Sequence, residues 1–352
     1  MSKSFTGNFF EDFKPGQVLR HATPRTLTDG DSALYIALNG SRYALFSSDE
    51  FGNACGLERA PIDPLLAFHI VFGKTVPDVS LNAVANLGYA EGRFLAPVYA
   101  GDTLSASSEV IGVKENSNGK TGVVHVRTTG TNQHGAPVLS YVRWVMVNKR
   151  SAASPAPAAV APKLAEAVAP GDLVAPPGLD FSGYDWTLAG SPHGFEDYAV
   201  GEKIDHIDGM TVEEAEHQIA TRLYQNTAKV HFNQYEQGQG RFGRRLIYGG
   251  VAISIARALA FNGLANAGLM LAINAGRHVS PLFAGDTVYA WSEVLAKIGL
   301  SNGVGALRLR LVATKNAPCA VFPYKDGAGE YDPAVILDFD YWAAIPMKRA
   351  GG

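Results

Sequence analysis

Helix-like and strand-like patterns follow one another twice along this chain. In the second half, Thr211 and Glu214 form a capping-box pattern at the start of TVEEAEHQIATRLYQ. Apolar residues then recur at helical spacing, at Val212, Ala215, Ile219 and Leu223. Thr26 and Asp29 form the matching pair in the first half. The pattern predicts one amphipathic helix near the start of each half.

A second and more apolar helix is predicted next in each half, within DPLLAFHIVFGKTV and within GVAISIARALAFNGLA. The latter has no clear polar face, so we expect it to be buried. Alternating runs rich in β-formers follow, such as TLSASSEVIGV, GVVHVRTTGTN and PVLSYVRWVMV, and later TVYAWSEVLAKI, GALRLRLVATK and AVILDFDYWAAI. Each half is therefore predicted to wrap a curved antiparallel sheet around one buried helix.

The two halves also match each other directly. FEDFKPGQ at Phe10 recurs as FEDYAVGE at Phe195, an offset of 185 residues, and GRFLAPVYAGDTLSASSEV recurs as GRHVSPLFAGDTVYAWSEV. Such self-similarity indicates two copies of one fold. An Ala- and Pro-rich stretch without helical or strand period separates them and is typical of a semi-extended linker. We predict a first half over 1–150, a linker over 151–185 and a second half over 186–352.

Composition narrows the class of protein. The 352 residues are 47% hydrophobic and 18% charged, as in globular proteins, and the net charge of −3 offers no electrostatic case for nucleic acid or an anionic membrane as partner. No apolar run approaches the ~18–20 residues of a membrane span, and the first residues lack the apolar core of a signal peptide. Cys55 and Cys319 lie far apart, and motifs for a metal or a nucleotide cofactor are absent. We expect a soluble cytoplasmic protein without a cofactor.

The element order, with a GDT turn leading into a strand, resembles the hot-dog fold of the MaoC-like enoyl-CoA hydratases, and the pair of halves resembles a double hot dog. Within that group the chain is similar to the mesaconyl-CoA hydratases, through RLYQNTAKVHFN, GRFGRRLIYGG and YDPAVILDFDY. The resemblance implies an α+β fold, an acyl-CoA thioester as partner, and reversible acid/base hydration of mesaconyl-C1-CoA to β-methylmalyl-CoA. Exposed sheet edges in this fold favour a homo-oligomer.

MaoC-like hydratases carry an aspartate and, five positions later, a histidine in the loop after the short helix. This pattern maps onto Asn226 and His231, whereas the first half has Ser41 and Phe46 at the same offset. Phe46 cannot transfer protons, so we expect one active site per chain, in the second half. An imidazole titrates near pH ~6.5 and suits acid/base work, although a solvated helix-end histidine is the plainer alternative. Asn226 does not titrate and is predicted to position water or substrate.

His231 then works alone or with a second acid. Asp63 is a candidate for that acid, though a helix N-cap is its more ordinary role.

Further residues are predicted to contact substrate. Tyr248, Gly249 and Gly250 open the apolar helix of the second half, where free backbone N–H groups can stabilise an oxyanion. The family resemblance implies that a glycine here binds the thioester carbonyl; a plain turn is the alternative. Lys229 and Arg244 are predicted to contact the anionic groups of an acyl-CoA, unless they belong to a solvated basic surface.

Three other functions remain open at this stage. A straight-chain (R)-specific enoyl-CoA hydratase would need an apolar tunnel instead of a cation at the acyl end. An acyl-CoA thioesterase usually activates water with a carboxylate on the buried helix, and GVAISIARALAF contains none. A non-catalytic acyl-CoA binder is favoured by the missing aspartate.

Overall fold

Both halves of the chain build nearly the same succession of elements. The computed structural model describes residues 3–348. The first half contains β1 (Val18–Thr26), α1 (Asp29–Asn39), α2 (Asp49–Ala54), α3 (Pro64–Thr75), β2 (Ala83–Phe94), β3 (Thr103–Glu115), β4 (Thr121–Thr131) and β5 (Pro137–Asn148). The second half contains α4 (Trp186–Ala189), β6 (Lys203–Asp205), β7 (Met210–Thr211), α5 (Glu214–Leu223), α6 (Lys229–Phe232), α7 (Gln234–Gln237), α8 (Gly249–Leu259), α9 (Phe261–Leu264), β8 (Leu269–His278), β9 (Thr287–Gly299), β10 (Val304–Lys315) and β11 (Val335–Pro346).

The strands of both halves join into one antiparallel sheet, in the order β1-β3-β4-β5-β2-β8-β11-β10-β9-β6, with β7 also on β9. Strands β2 and β8 form the seam between the halves. There Tyr89 pairs with Gly276 and Gly92 pairs with Ile273, so equivalent positions of the repeat face each other reciprocally. A Cβ at Gly92 would lie 2.8 Å from the Cβ of Ile273, and one at Gly276 would lie 2.7 Å from the Tyr89 ring. Both glycines are therefore required by the close packing at the seam.

Helices α3 and α8 pack against strands of this sheet and are buried together in the main hydrophobic core. The predicted α+β double hot-dog fold, with a buried central helix in each half, is thus confirmed. The carboxylate of Asp63 accepts a hydrogen bond from the N–H of Leu65 at 2.8 Å, which makes Asp63 the N-cap of α3.

The predicted capping boxes are wrong in position. The capping box of α1 is formed by Thr28 and Asp31, two residues later than expected, and α5 begins at Glu214 without a side-chain cap. Thr26 and Thr211 each end an edge strand instead, and their hydroxyls bond to threonines of the neighbouring strand at 2.7 and 2.8 Å. The prediction failed because the hydroxyl of each threonine bonds to a neighbouring strand that is distant in sequence, and the local sequence does not reveal this pairing.

The stretch between β5 and α4 packs against the sheet. Val160 forms a bridge with Val113, and the N–H of Val168 donates to Asn274 at 2.9 Å. The indole N–H of Trp342 donates to the carbonyl of Val168 at 3.2 Å. The stretch therefore contacts both halves, while the boundaries 1–150, 151–185 and 186–352 stay a prediction.

No helix within residues 3–348 is long and apolar enough to cross a membrane. Cys55 and Cys319 are separate buried thiols. Within the same residues, no three His, Cys, Asp or Glu side chains come together in a group suited to a metal ion.

Candidate active site

The loop after α5 presents Asn226. Gln225 adopts a left-handed conformation with φ of 53°, which turns the chain out of the helix. The side-chain oxygen of Asn226 then accepts from the N–H of Ala228 at 3.0 Å. Because that donor fixes the oxygen, the amide nitrogen Nδ2 is the free end, and it is buried without a partner among the described residues. Asn226 therefore offers an unpaired hydrogen-bond donor.

His231 follows on the short helix α6. Its Nδ1 lies 3.0 Å from the carbonyl oxygen of Leu246. A carbonyl can only accept, so Nδ1 carries the proton and Nε2 keeps a free lone pair. Burial lowers the pKa of His231 to about 4, against the opposing effect of the Leu246 hydrogen bond. The imidazole is consequently neutral near pH 7 and can accept a proton.

Helix α8 begins beside these two residues. The N–H of Tyr248 donates to Nε2 of His217 at 2.9 Å, whereas no acceptor of the described chain bonds to the N–H of Gly249 or Gly250. A Cβ at Gly249 would lie 2.3 Å from the ring of His278, and one at Gly250 would lie 2.3 Å from the ring of Tyr248. Close packing thus requires glycine at both positions, and it leaves donors at the positive end of the helix.

These groups line a cleft of about 320 Å³ between the halves. The second half contributes Asn226, His231, Tyr248, Gly249 and His278, and the first half contributes Phe72, Asn86, Tyr89 and Arg143. The Tyr248 ring adjoins lining residues of both halves, with its centroid 5.4 Å from that of His231 and 5.5 Å from that of Phe72. Gly250 is buried behind this lining.

The equivalent place in the first half is closed. Phe46, at the position of His231, is buried in an apolar cluster, and Ser41, at the position of Asn226, borders a void of about 10 Å³. Asp63 and Arg257 also line that void. Burial raises the pKa of Asp63 to about 6, but this carboxyl group belongs to the closed site.

Sequence analysis missed most of the cleft lining, including Asn86, Tyr89, Arg143 and His278. Burial, and secondarily the charge of His231, lowers the pKa of His278 to about 4. Nε2 of His278 lies 3.4 Å from the Tyr89 hydroxyl. A signal for His278 was present, since the repeat opposes GRHVSP to GRFLAP and sets His278 against Phe94. The same difference separates His231 from Phe46.

Lys229 and Arg244 lie outside the lining of the cleft. Lys229 is exposed and pairs with Glu236 at 3.2 Å. The guanidinium of Arg244 lies 4.0 Å from the centroid of the Phe283 ring. Phe283 in turn packs on Phe242, which borders the cleft, so Arg244 is close to its mouth.

Several known proteins are similar to this chain in sequence and in fold. The sequence model of the mesaconyl-CoA hydratase family matches residues 2–324. A mesaconyl-CoA hydratase of Cereibacter sphaeroides is 63% identical over 98% of this chain and 99% of its own, and a beta-methylmalyl-CoA dehydratase of Chloroflexus aurantiacus is 60% identical over 99% of both. A crystal structure described as a MaoC domain protein dehydratase from Chloroflexus aurantiacus matches with a TM-score of 0.97 at 60% identity, over 99% of this chain and 100% of that one. Because the family model covers most of the chain and both relatives match it over nearly their full length, the chain belongs to the mesaconyl-CoA hydratase family.

Proposed function

We propose that this protein is a hydro-lyase that reversibly hydrates mesaconyl-C1-CoA to β-methylmalyl-CoA in the cleft between its halves. The observation that carries the proposal is the neutral His231, which presents a free Nε2 to the same cleft as the unpaired N–H of Gly249. Membership of the mesaconyl-CoA hydratase family supports the choice of substrate.

In the hydration direction, Nε2 of His231 accepts a proton from water while the water oxygen bonds to the β-carbon. The electron pair of the double bond then moves toward the thioester, and the negative charge on its oxygen is stabilised by the N–H of Gly249. Protonated His231 returns its proton to the α-carbon on the same face. Dehydration runs through the same steps in reverse.

Asn226 orients the water in this scheme. Its Oδ1 is occupied by the N–H of Ala228, so Nδ2 donates to the water oxygen and leaves a water proton directed at His231. An aspartate here would place a second titrating group beside the histidine. With the amide, a single residue both takes and returns the proton.

The remaining predicted substrate contacts involve Tyr248, Arg244 and Lys229. The ring of Tyr248 forms a wall of the cleft beside His231. Arg244 makes no ion pair with a described carboxylate, and its place near the cleft mouth suits the CoA phosphates. The pair of Lys229 with Glu236 is exposed on both sides, and such pairs are worth at most about 1 kcal/mol, so Lys229 remains available to the same anions.

The test is a spectrophotometric assay with mesaconyl-C1-CoA that follows loss of the enoyl-thioester absorbance. We expect rapid hydration by the unchanged protein and a loss of about 10²–10⁴-fold in kcat for His231→Ala. Asn226→Asp shows whether the amide is needed. Turnover of crotonyl-CoA without turnover of mesaconyl-C1-CoA would establish the straight-chain alternative instead, and release of free CoA thiol would establish a thioesterase. Binding without any turnover would leave an acyl-CoA binder.

We also propose a cytoplasmic homo-oligomer. Strands β1 and β6 end the sheet, and such unpaired edges favour association with further copies. Light scattering of the purified protein would give the number of subunits, and a monomer at all concentrations would contradict this proposal.

A further inference from the structure

A buried arginine of the first half lies in the cleft with most of its donors unused. Arg143 on β5 is fully buried, and its Nη2 donates to the hydroxyls of Thr75 at 2.7 Å and Ser80 at 3.2 Å. Its Nε and Nη1 are buried without a partner among the residues that the structure describes. No carboxylate of residues 3–348 forms an ion pair with it. A guanidinium cannot lose its charge near neutral pH, so this cation is paired only with neutral groups.

The closed site of the first half provides an internal comparison. Arg257 occupies in α8 the position that Phe72 has in α3, and Tyr341 occupies in β11 the position that Arg143 has in β5. In the open cleft the arginine is on the strand and the aromatic ring on the helix, and Arg143 lies over the Phe72 ring at 4.2 Å. In the closed site the arginine is on the helix and the ring on the strand, and Arg257 lies over the Tyr341 ring at 4.8 Å. Each site therefore holds one buried arginine packed on aromatic side chains, since Arg257 also lies 5.2 Å from the Tyr43 ring.

The two arginines differ in what surrounds their charge. Nη1 of Arg257 donates to the Tyr341 hydroxyl at 2.9 Å, and Nη2 donates to the carbonyls of Ala267 at 3.2 Å and Gly268 at 2.9 Å. The carboxylate of Asp63 adds an attractive charge. In the closed site the protein itself therefore supplies the acceptors and a counter-charge. In the open cleft no described group accepts from Nε or Nη1 of Arg143, although Arg143 lines the cleft.

We infer that Arg143 binds the free carboxylate at the acyl end of the substrate. The inference rests on the proposed function, since mesaconyl-C1-CoA carries a carboxylate on its β-carbon, the atom to which water adds. The thioester and this carboxylate lie on opposite ends of the trans double bond. Gly249 binds the thioester end, and Arg143 binds the other end. Charge-assisted bonds from a guanidinium are strong and directional, so holding the carboxylate also places the β-carbon for attack.

The order of side chains along the cleft fits this placement. The Phe72 ring lies against both the Arg143 guanidinium and the Tyr248 ring, and the Tyr248 ring lies against His231. The acyl group would lie across these two rings, with its thioester toward Gly249, its carboxylate toward Arg143 and its double bond beside His231. An acyl chain with a methyl end would leave a buried cation without a counter-charge, so Arg143 makes the cleft specific for dicarboxylic acyl groups.

Binding of two unreactive CoA thioethers separates this role from catalysis. One carries a 3-carboxypropyl group and the other a butyl group, so they differ in a terminal carboxylate against a methyl. By isothermal titration calorimetry we expect the unchanged protein to bind the carboxylate ligand at least about 30-fold more tightly, the range for truncating a buried charge pair. In Arg143→Met we expect the two ligands to bind within about 3-fold of each other, and in Arg143→Lys part of the preference should return.

The matched control is Arg244→Met at the cleft mouth, which should weaken both ligands alike because both carry the same CoA. Equal affinity of the unchanged protein for the two ligands would overturn the inference. So would a preference that persists in Arg143→Met, or an equal loss of both ligands in that variant while its circular dichroism stays native. Because no turnover is needed, failure of the hydratase assay with this preference intact would refute the proposed reaction and leave the carboxylate site standing.

Discussion

The depressed pKa of His231 predicts an unusual pH dependence of catalysis. The perturbation is acidification from pH 7.5 to pH 5, during which kcat/KM for hydration is measured. With a pKa of about 4, roughly nine-tenths of the imidazole is still neutral at pH 5. With the ordinary value of ~6.5, only about 3% would be neutral at that pH. The structure therefore predicts that kcat/KM falls by less than about 2-fold, where an ordinary histidine would lose about 30-fold.

The assay should use a dephospho-CoA thioester, because a phosphate monoester titrates near pH ~6 and would add its own transition. Enzyme kept at pH 7.5 is diluted briefly into each buffer, and recovery of activity on return to pH 7.5 excludes acid unfolding. His231→Ala should show a low activity without this transition. A midpoint near pH 6.5 in the unchanged protein would refute both the shifted pKa and the burial from which it arises.

Three further predictions concern stability. Arg143→Met should leave the melting temperature unchanged or raise it, because it removes an uncompensated buried charge. Arg257→Met should lower the free energy of unfolding by about 3–5 kcal/mol, because it breaks a satisfied network of hydrogen bonds. Equal losses of stability in thermal unfolding of the two variants would contradict this. Gly249→Ala should displace the ring of His278 and cost about 1–3 kcal/mol in urea unfolding, together with a loss of kcat, and a neutral effect would mean that the ring moves freely. Acid should destabilise the protein, because burial lowers the pKa of three more histidines, besides His231 and His278, to between about 3 and 4, so the unfolded chain takes up protons first as the pH falls below ~6.5. Each should cost on the order of 1 kcal/mol at pH 5.5, and an unchanged urea midpoint between pH 7.5 and 5.5 would refute this. These histidines are His69, His206 and His217.

The main elements of the fold follow from local patterns. The apolar stretch that begins at Gly249 has no polar face, and the structure buries it as α8. The alternating runs predicted β3, β4 and β5 and their counterparts β9, β10 and β11. The seam strands β2 and β8 were not recognised, since ANLGYAEGRF and LMLAINAGRH contain glycine, alanine and asparagine instead of a strong β-alternation. Their role in joining the halves comes from pairing with each other.

The cleft was predicted in part. The offset of the repeat, with the family loop, pointed to His231 and Asn226, and the structure places both in the lining. Arg143 lies within PVLSYVRWVMV, where an arginine between apolar residues is typical of the solvent face of a strand. Its burial depends on α3, which covers that face and brings Phe72 over the guanidinium. The sequence of β5 alone contains no sign of this contact.

Sequence by itself determined the repeat, the order of helices and strands, the family, and the histidine that the second half has and the first half lacks. These features are encoded in neighbouring residues or in two stretches that can be compared directly. Tertiary structure alone decided the protonated nitrogen of His231, the free end of the Asn226 amide, and the contribution of Arg143 from the first half to the cleft. Each of these depends on atoms that are distant in sequence and meet only when the two halves share one sheet and one core.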